Sequence, residues 1–249
     1  MAGALEGKRA AITGASSGIG EATALALAAE GSTVALAARR KDRLDDLVKR
    51  IEAEGGTAHA HEVDITDEQA ARGFVEGAAE EMGGLEIMVN NAGLMLLGPI
   101  EGTDTEQWRR MIDVNLLGLL YCTHAALPLM REQGEGHIVN VSSIAGRRAS
   151  FGSAVYNLTK FGVTGFSEAL RQEALNSGVR VTIVEPGFVE TELLEHNSSY
   201  VVEAAEKLKA DMGEVLRAED IADAIVHALA APPHVSINEV LVRPTRQRT

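Results

Sequence analysis

Short apolar stretches alternate with longer amphipathic ones along the whole chain. The pattern predicts strands over 9–13, 32–38, 58–63, 85–89, 137–141, 179–184 and 237–242. It predicts helices over 21–30, 42–54, 67–82, 104–131, 153–176 and 219–230. In the second helix Leu44, Leu47, Val48 and Ile51 fall at i, i+3, i+4 and i+7, one apolar face of a 3.6-residue period. About seven continuous apolar strands separated by helices point to an α/β chain with a doubly wound, Rossmann-like parallel sheet covered on both faces. No internal repeat, low-complexity tract or Pro/Gly/Ser linker divides the chain, so 1–249 is expected to be a single domain. The stretch 188–217 lacks strand character. It follows a strand end, where open parallel sheets bind ligands, and is expected to be a mobile, partly helical flap covering the substrate.

Composition adds exclusions. Hydrophobic residues make up 45% of 249 and charged residues 24%, ordinary for a globular core. The net charge of −13 argues against nucleic acid or an anionic membrane as the main partner, while leaving room for a local basic pocket. Cys122 is the single cysteine, so no internal disulfide forms. No apolar run approaches the roughly 18 residues of a membrane helix, and the polar N-terminus is too short for a signal peptide. A cytoplasmic location is the expectation.

The turn after the first strand carries the first chemistry. Thr13-Gly-Ala-Ser-Ser-Gly-Ile-Gly20 has its glycines spaced G-x3-G-x-G, which differs from G-x-G-x-x-G but permits the same close approach to a pyrophosphate. Gly14, Ser16, Ser17, Gly18, Ile19 and Gly20 are candidate cofactor contacts, aided by the N–H groups at the following helix N-terminus. At the end of the second strand an acid would accept hydrogen bonds from the ribose hydroxyls of NAD. The chain has Ala38-Arg39-Arg40 instead, and planar guanidinium groups suit a 2′-phosphate. That favours NADP(H).

Tyr156 and Lys160 stand four apart on a predicted helix and share a face. Ser143 lies just past the preceding strand, giving S-x12-Y-x3-K. Free tyrosine titrates near 10, and a nearby ammonium favours its phenolate, so Tyr156 is expected to have a lowered pKa and to exchange a proton with an oxygen on the reacting carbon. Ser143 would hold the same oxygen. Lys160 would tune Tyr156 and hold the nicotinamide ribose. Hydride would pass between nicotinamide and carbon.

These residues, with Val63-Asp64, Asn90-Asn-Ala-Gly93, Asn115 and Pro186-Gly187, make the sequence resemble the short-chain dehydrogenase/reductase family over almost its whole length. The resemblance implies that Asp64 and Ile65 flank the adenine, and that Asn91, Ala92 and Gly93 line the cofactor cleft. It implies that Pro186, Gly187, Val189 and Thr191 meet the nicotinamide end, and that Arg39 meets the 2′-phosphate. By the same resemblance Asn115 joins the catalytic set, holding a water that links Lys160 to solvent. Read from the residues alone, Asn115 is a buried or capping amide. The C-terminus and Leu96-Leu-Gly-Pro99 are similar to the NADP-dependent branch containing clavulanic acid dehydrogenase and the serine or 3-hydroxy acid dehydrogenases. The family also implies a homo-oligomer, tetramer or dimer, built through the helices near 104–131 and 154–176.

The substrate end is expected to be apolar, with Met95, Leu96, Ala145, Phe188, Leu193 and Leu194 as candidate walls. Arg147 and Arg148 follow the Ser143 loop. Turned inward, either would hold a substrate carboxylate; turned outward, both are solvated. His59, His61 and His137 show no metal-ligand spacing, and no metal is expected. Cys122 reads as a small buried hydrophobe. The leading expectation is an NADP(H)-dependent oxidoreductase interconverting an aldehyde or ketone with an alcohol. An NAD-linked alcohol or hydroxy-acid dehydrogenase and a non-catalytic dinucleotide sensor are the alternatives.

Overall fold

A computed structural model describes residues 3–248. Seven parallel strands form one sheet: β1 (Arg9–Thr13), β2 (Thr33–Ala38), β3 (Thr57–Glu62), β4 (Ile87–Asn90), β5 (Gly136–Val141), β6 (Val179–Pro186) and β7 (Glu239–Val242). Their spatial order is β3-β2-β1-β4-β5-β6-β7. The order reverses beside β1, which pairs β2 through Ile12↔Leu36 and β4 through Ile12↔Val89. A crevice opens beyond the strand ends at such a switch point.

The helices are α1 (Gly18–Ala29), α2 (Lys41–Ala53), α3 (Glu68–Met82), α4 (Thr105–Ile112), α5 (Leu119–Gln133), α6 (Ala154–Glu173), α7 (Ser199–Met212) and α8 (Ala218–Leu229). Alternate strand residues supply two cores. Ile12, Leu36, Val89, Val139 and Val184 face Leu27 of α1, Leu44 and Leu47 of α2, and Ile221 and Ile225 of α8. Ala11, Ala35, Met88, Ile138 and Val181 face Phe74 of α3, Met130 of α5 and Leu170 of α6. Burial on both faces is why the strands read as continuous apolar runs.

Three expectations need correction. The strand expected at 85–89 begins at Ile87, because Leu85 is paired to a side chain rather than a strand. The Gln133 amide donates to Leu85 O at 2.8 Å and accepts from Leu85 N–H at 2.9 Å. The long middle helix contains a π-helical turn at Asp113–Gly118 between α4 and α5. Finally, the continuous helix Thr105–Gln133 is long and apolar enough, by length and composition, to cross a membrane. One face of it packs against the sheet, where Cys122, Ala126 and Met130 are fully buried. The flap is partly helical as expected, with α7 as its main element.

Candidate active site

The switch point is tied together before any cofactor is considered. Thr13 Oγ1 accepts from the N–H groups of Asn91 and Ala92, both at 3.1 Å. The Asn91 amide donates to Thr13 O at 3.0 Å and Gly14 O at 3.3 Å. Gly14 has φ +66°, and a Cβ there would lie 2.8 Å from Ala92 Cα. A Cβ on Gly20 would collide with Gly14 O and the Asn91 amide. Two glycines are therefore required for β1, α1 and the end of β4 to meet. Ser17 starts α1 without a side-chain cap, so its hydroxyl leaves the first-turn N–H groups unoccupied beside the crevice-lining Gly18 and Ile19.

The crevice is a cavity of about 740 Å³. Its lining includes Gly14, Ser16, Ser17, Gly18 and Ile19 from the turn, with Arg39, Arg40, Asp64 and Ile65 beside them. It continues through Asn91, Ala92 and Gly93 to Ser143, Tyr156 and Lys160, then to Pro186, Gly187, Val189 and Thr191. Gly20 lies behind the turn, acting through fit, and Asn115 is buried behind Leu94.

The two arginines differ. Arg40 is occupied: it donates to Ser16 Oγ at 3.0 and 3.1 Å, to Ser17 Oγ at 2.7 Å and to Glu192 at 2.8 Å. Arg39 is exposed on the cavity wall and has no hydrogen-bond partner among the described residues. Its charge reaches Asp64. Burial raises the Asp64 pKa, but hydrogen bonds from Thr66 and the Arg39 charge together hold it below the ordinary value.

Tyr156 and Lys160 share the inner face of α6, both buried. Lys160 Nζ donates to Val141 O at 2.9 Å and lies 5.8 Å from the Tyr156 ring centre. Burial pushes the Tyr156 phenol up to about 12, against a smaller lowering from its hydrogen bond with Ser143. The lowering expected from Lys160 is thus overturned, because loss of solvent around the phenolate dominates. Burial also brings Lys160 down to about 8. The Ser143 loop is locked to α6 by Asn157, whose amide donates to Ala145 O at 2.7 Å and Arg148 O at 2.8 Å. Asn115 sits in the π-helical turn as a buried amide. It accepts from Leu94 N–H at 2.7 Å and donates to Leu94 O at 2.8 Å and Thr159 Oγ1 at 3.1 Å.

A family model described as short chain dehydrogenase matches residues 8–201. The chain belongs to the short-chain dehydrogenase family. It is 42% identical over 243 residues to glycine betaine reductase of Emericella nidulans, covering 97% of this chain but 19% of that relative's length. It is 38% identical over 240 residues to an uncharacterized oxidoreductase of Staphylococcus aureus, covering 96% of this chain and 98% of the relative. Among solved structures, the closed form of a serine dehydrogenase complexed with NADP+ superposes with a TM-score of 0.90. Identity there is 34%, covering 97% of this chain and 96% of that one. This chain is an oxidoreductase of that family.

Of the apolar candidates in this short-chain dehydrogenase, Met95, Ala145, Phe188, Leu193 and Leu194 line the cavity, alongside the polar Arg110, Asp113 and His196. Leu96 does not. It turns away into a small core with Leu94 and Met111. Leu97 and Phe151 line the cavity without having been singled out, and so does Gln247, whose Oε1 accepts from Phe188 N–H at 2.9 Å. No sequence signal brings a residue so near the C-terminus to the crevice. Arg147 and Arg148 do not line it. Arg147 pairs with fully buried Glu185 at 2.5 Å and with Glu239. Burial raises the Glu185 pKa, and Arg147 opposes that rise.

The remaining candidates are structural. Among the described residues no group of His, Cys, Asp and Glu is placed to hold a metal. His59 and His61 both face Glu81, and His137 Nε2 meets Thr182 Oγ1 at 2.7 Å. Burial pushes the fully enclosed Cys122 thiol up to about 12.

Proposed function

We propose that this chain is an NADP(H)-dependent reductase of aldehydes and ketones. One observation carries the reading: a single cavity has a free guanidinium, Arg39, at one end and Tyr156, Ser143 and Lys160 at the other. The turn fits a dinucleotide, since Gly14 and Gly20 leave no room for side chains and the α1 N-terminus is uncapped. Arg39 would hold the 2′-phosphate; Gly14 to Ile19 would face the pyrophosphate; Asp64 and Ile65 would flank the adenine. Asn91 to Gly93, Pro186, Gly187, Val189 and Thr191 would border the nicotinamide. When bound, that group supplies the hydride.

The chain's own part is proton transfer and charge control. Tyr156, protonated at neutral pH, is set to give its proton to the carbonyl oxygen as general acid. Ser143 donates a hydrogen bond to that oxygen. Lys160, cationic below about pH 8, stabilises negative charge as the proton leaves Tyr156. Asn115 fixes Leu94 beside this group, and the proton path from Lys160 through a water at Asn115 belongs to the same reading.

The substrate's charge stays open in this reading: Arg147 is held by Glu185 and Glu239 and is not part of the lining, whereas Arg110 of α4 and His196 of the flap are. Parallel fluorescence titrations with NADPH and NADH test the cofactor, followed by a screen of neutral and carboxylated carbonyls. Equal or tighter binding of NADH, or turnover of no carbonyl in the screen, would overturn the reading. Self-association is part of the proposal: Leu158 and Phe161 are exposed on α6 near half-buried Leu116, Leu117 and Leu120. Light scattering of wild type and Phe161→Glu checks it, with a monomeric wild type as the contrary result.

A further inference from the structure

The flap segment 191–197 borders the cavity between two fastenings. Thr191 Oγ1 accepts from Leu193 N–H at 3.4 Å, Glu195 N–H donates to Glu192 O at 3.0 Å, and Asn197 N–H donates to Leu194 O at 3.1 Å. At the cofactor end Glu192 is held by Arg40 at 2.8 Å and Arg43 at 2.6 Å. At the substrate end the Asn197 side chain reaches the opposite wall. Its Oδ1 accepts from Leu97 N–H at 2.7 Å, and its Nδ2 donates to Met95 O at 2.9 Å. Leu193 and Leu194 lie between the fastenings and line the cavity.

The wall that Asn197 grips is itself built for this. Leu94 and Leu96 are buried in the small core with Met111 and Tyr156, and Met95 and Leu97 pack against its edge. Leu94, Met95 and Leu97 line the cavity, and Leu96 does not. Asn115 holds both polar groups of Leu94, and Leu96 N–H donates to Met111 Sδ at 3.4 Å. The Met95 carbonyl and Leu97 N–H flank Leu96, and a neighbouring parallel strand would use that same pair. The Asn197 amide takes the place of that strand.

We propose that Asn197 is a positioning residue that fixes the height of the substrate pocket, holding the Leu193–Leu194 ceiling over Met95 and Leu97. Glu192 fastens the cofactor end separately. The inference rests on the carbonyl-reductase reading, but part of its test does not. Asn197→Ala raises the carbonyl KM about tenfold or more, with kcat changed less than about twofold and NADPH affinity unchanged. Glu192→Gln instead speeds NADPH release and leaves the carbonyl KM in place. Amide hydrogen exchange at Leu97, read without substrate, is protected in wild type and accelerated in Asn197→Ala. Asn197→Asp keeps an acceptor for Leu97 N–H and so keeps that protection, while losing the bond to Met95. Unchanged Leu97 exchange in Asn197→Ala overturns the proposal, as does a KM that stays put while exchange accelerates. An equal effect of both flap variants on KM and NADPH release also overturns it. If wild type reduces no carbonyl, the functional reading falls, and the Leu97 exchange still decides whether Asn197 is the clasp.

Discussion

At the residue scale the chemistry depends on two buried titrations that move in opposite senses. Tyr156 keeps its proton far above neutrality, and Lys160 loses its own near 8. Tyr156→Phe removes the proton donor but leaves the cavity walls intact. It should lower kcat by about a thousandfold, within the span of general acid catalysis, while NADPH titration gives a Kd within about twofold of wild type. The Lys160 charge is present below pH 8 and disappears above it. Carbonyl reduction should therefore fall as pH rises through about 8. In Lys160→Arg, whose side chain stays charged, a pH–rate profile should lose that descending limb even if the overall rate drops. Tyr156, Lys160 and Ser143 were legible because their spacing is local. The sign of the Tyr156 shift was not legible, because burial is a property of the whole enclosure. Arg147 was equally opaque. Its partners Glu185 and Glu239 stand on β6 and β7, far along the chain, and nothing near Arg147 announces them.

At the scale of elements, β4, β5, α5 and α6 are joined by a buried polar chain. Asn90 donates to Thr123 Oγ1 at 3.0 Å and to Asn140 Oδ1 at 2.8 Å, and Asn140 donates to Ser167 Oγ at 2.8 Å. These groups have no access to water, so a lost partner is not replaced. Asn140→Ala should cost about 1–3 kcal/mol, measured by urea unfolding, with the midpoint shifting at constant m-value. Strands and amphipathic helices were readable because each obeys a local period. The π-helical turn was not, since nothing in Asp113–Gly118 distinguishes it from an ordinary helix. The approach of Gly118 to Ile65 shows what that turn has to accommodate. The flap's contacts were hidden for a similar reason: Asn197 matters through Met95 and Leu97, a hundred residues earlier.

For the molecule as a whole, acid stability follows from the seam between β5 and β6. Burial, aided by the Arg180 charge, pushes His137 down to about 3 from 6.5. Unfolded chain takes up a proton below 6.5 while the folded chain refuses it, so this contribution is intact above pH 6.5 and is lost as pH falls toward 3. The free energy of unfolding should drop by roughly 1 kcal/mol per pH unit below about 6, and His137→Gln should flatten that slope. The single thiol has a different use. Cys122 is sealed inside the sheet–helix layer and holds its proton, so folded protein should ignore maleimides and disulfide reagents. The chain thus arrives with its own unfolding reporter. It also arrives as a clean background: a cysteine introduced at the outer surface of the flap would carry a fluorescent label alone, and the movement of that segment would be visible without first removing anything.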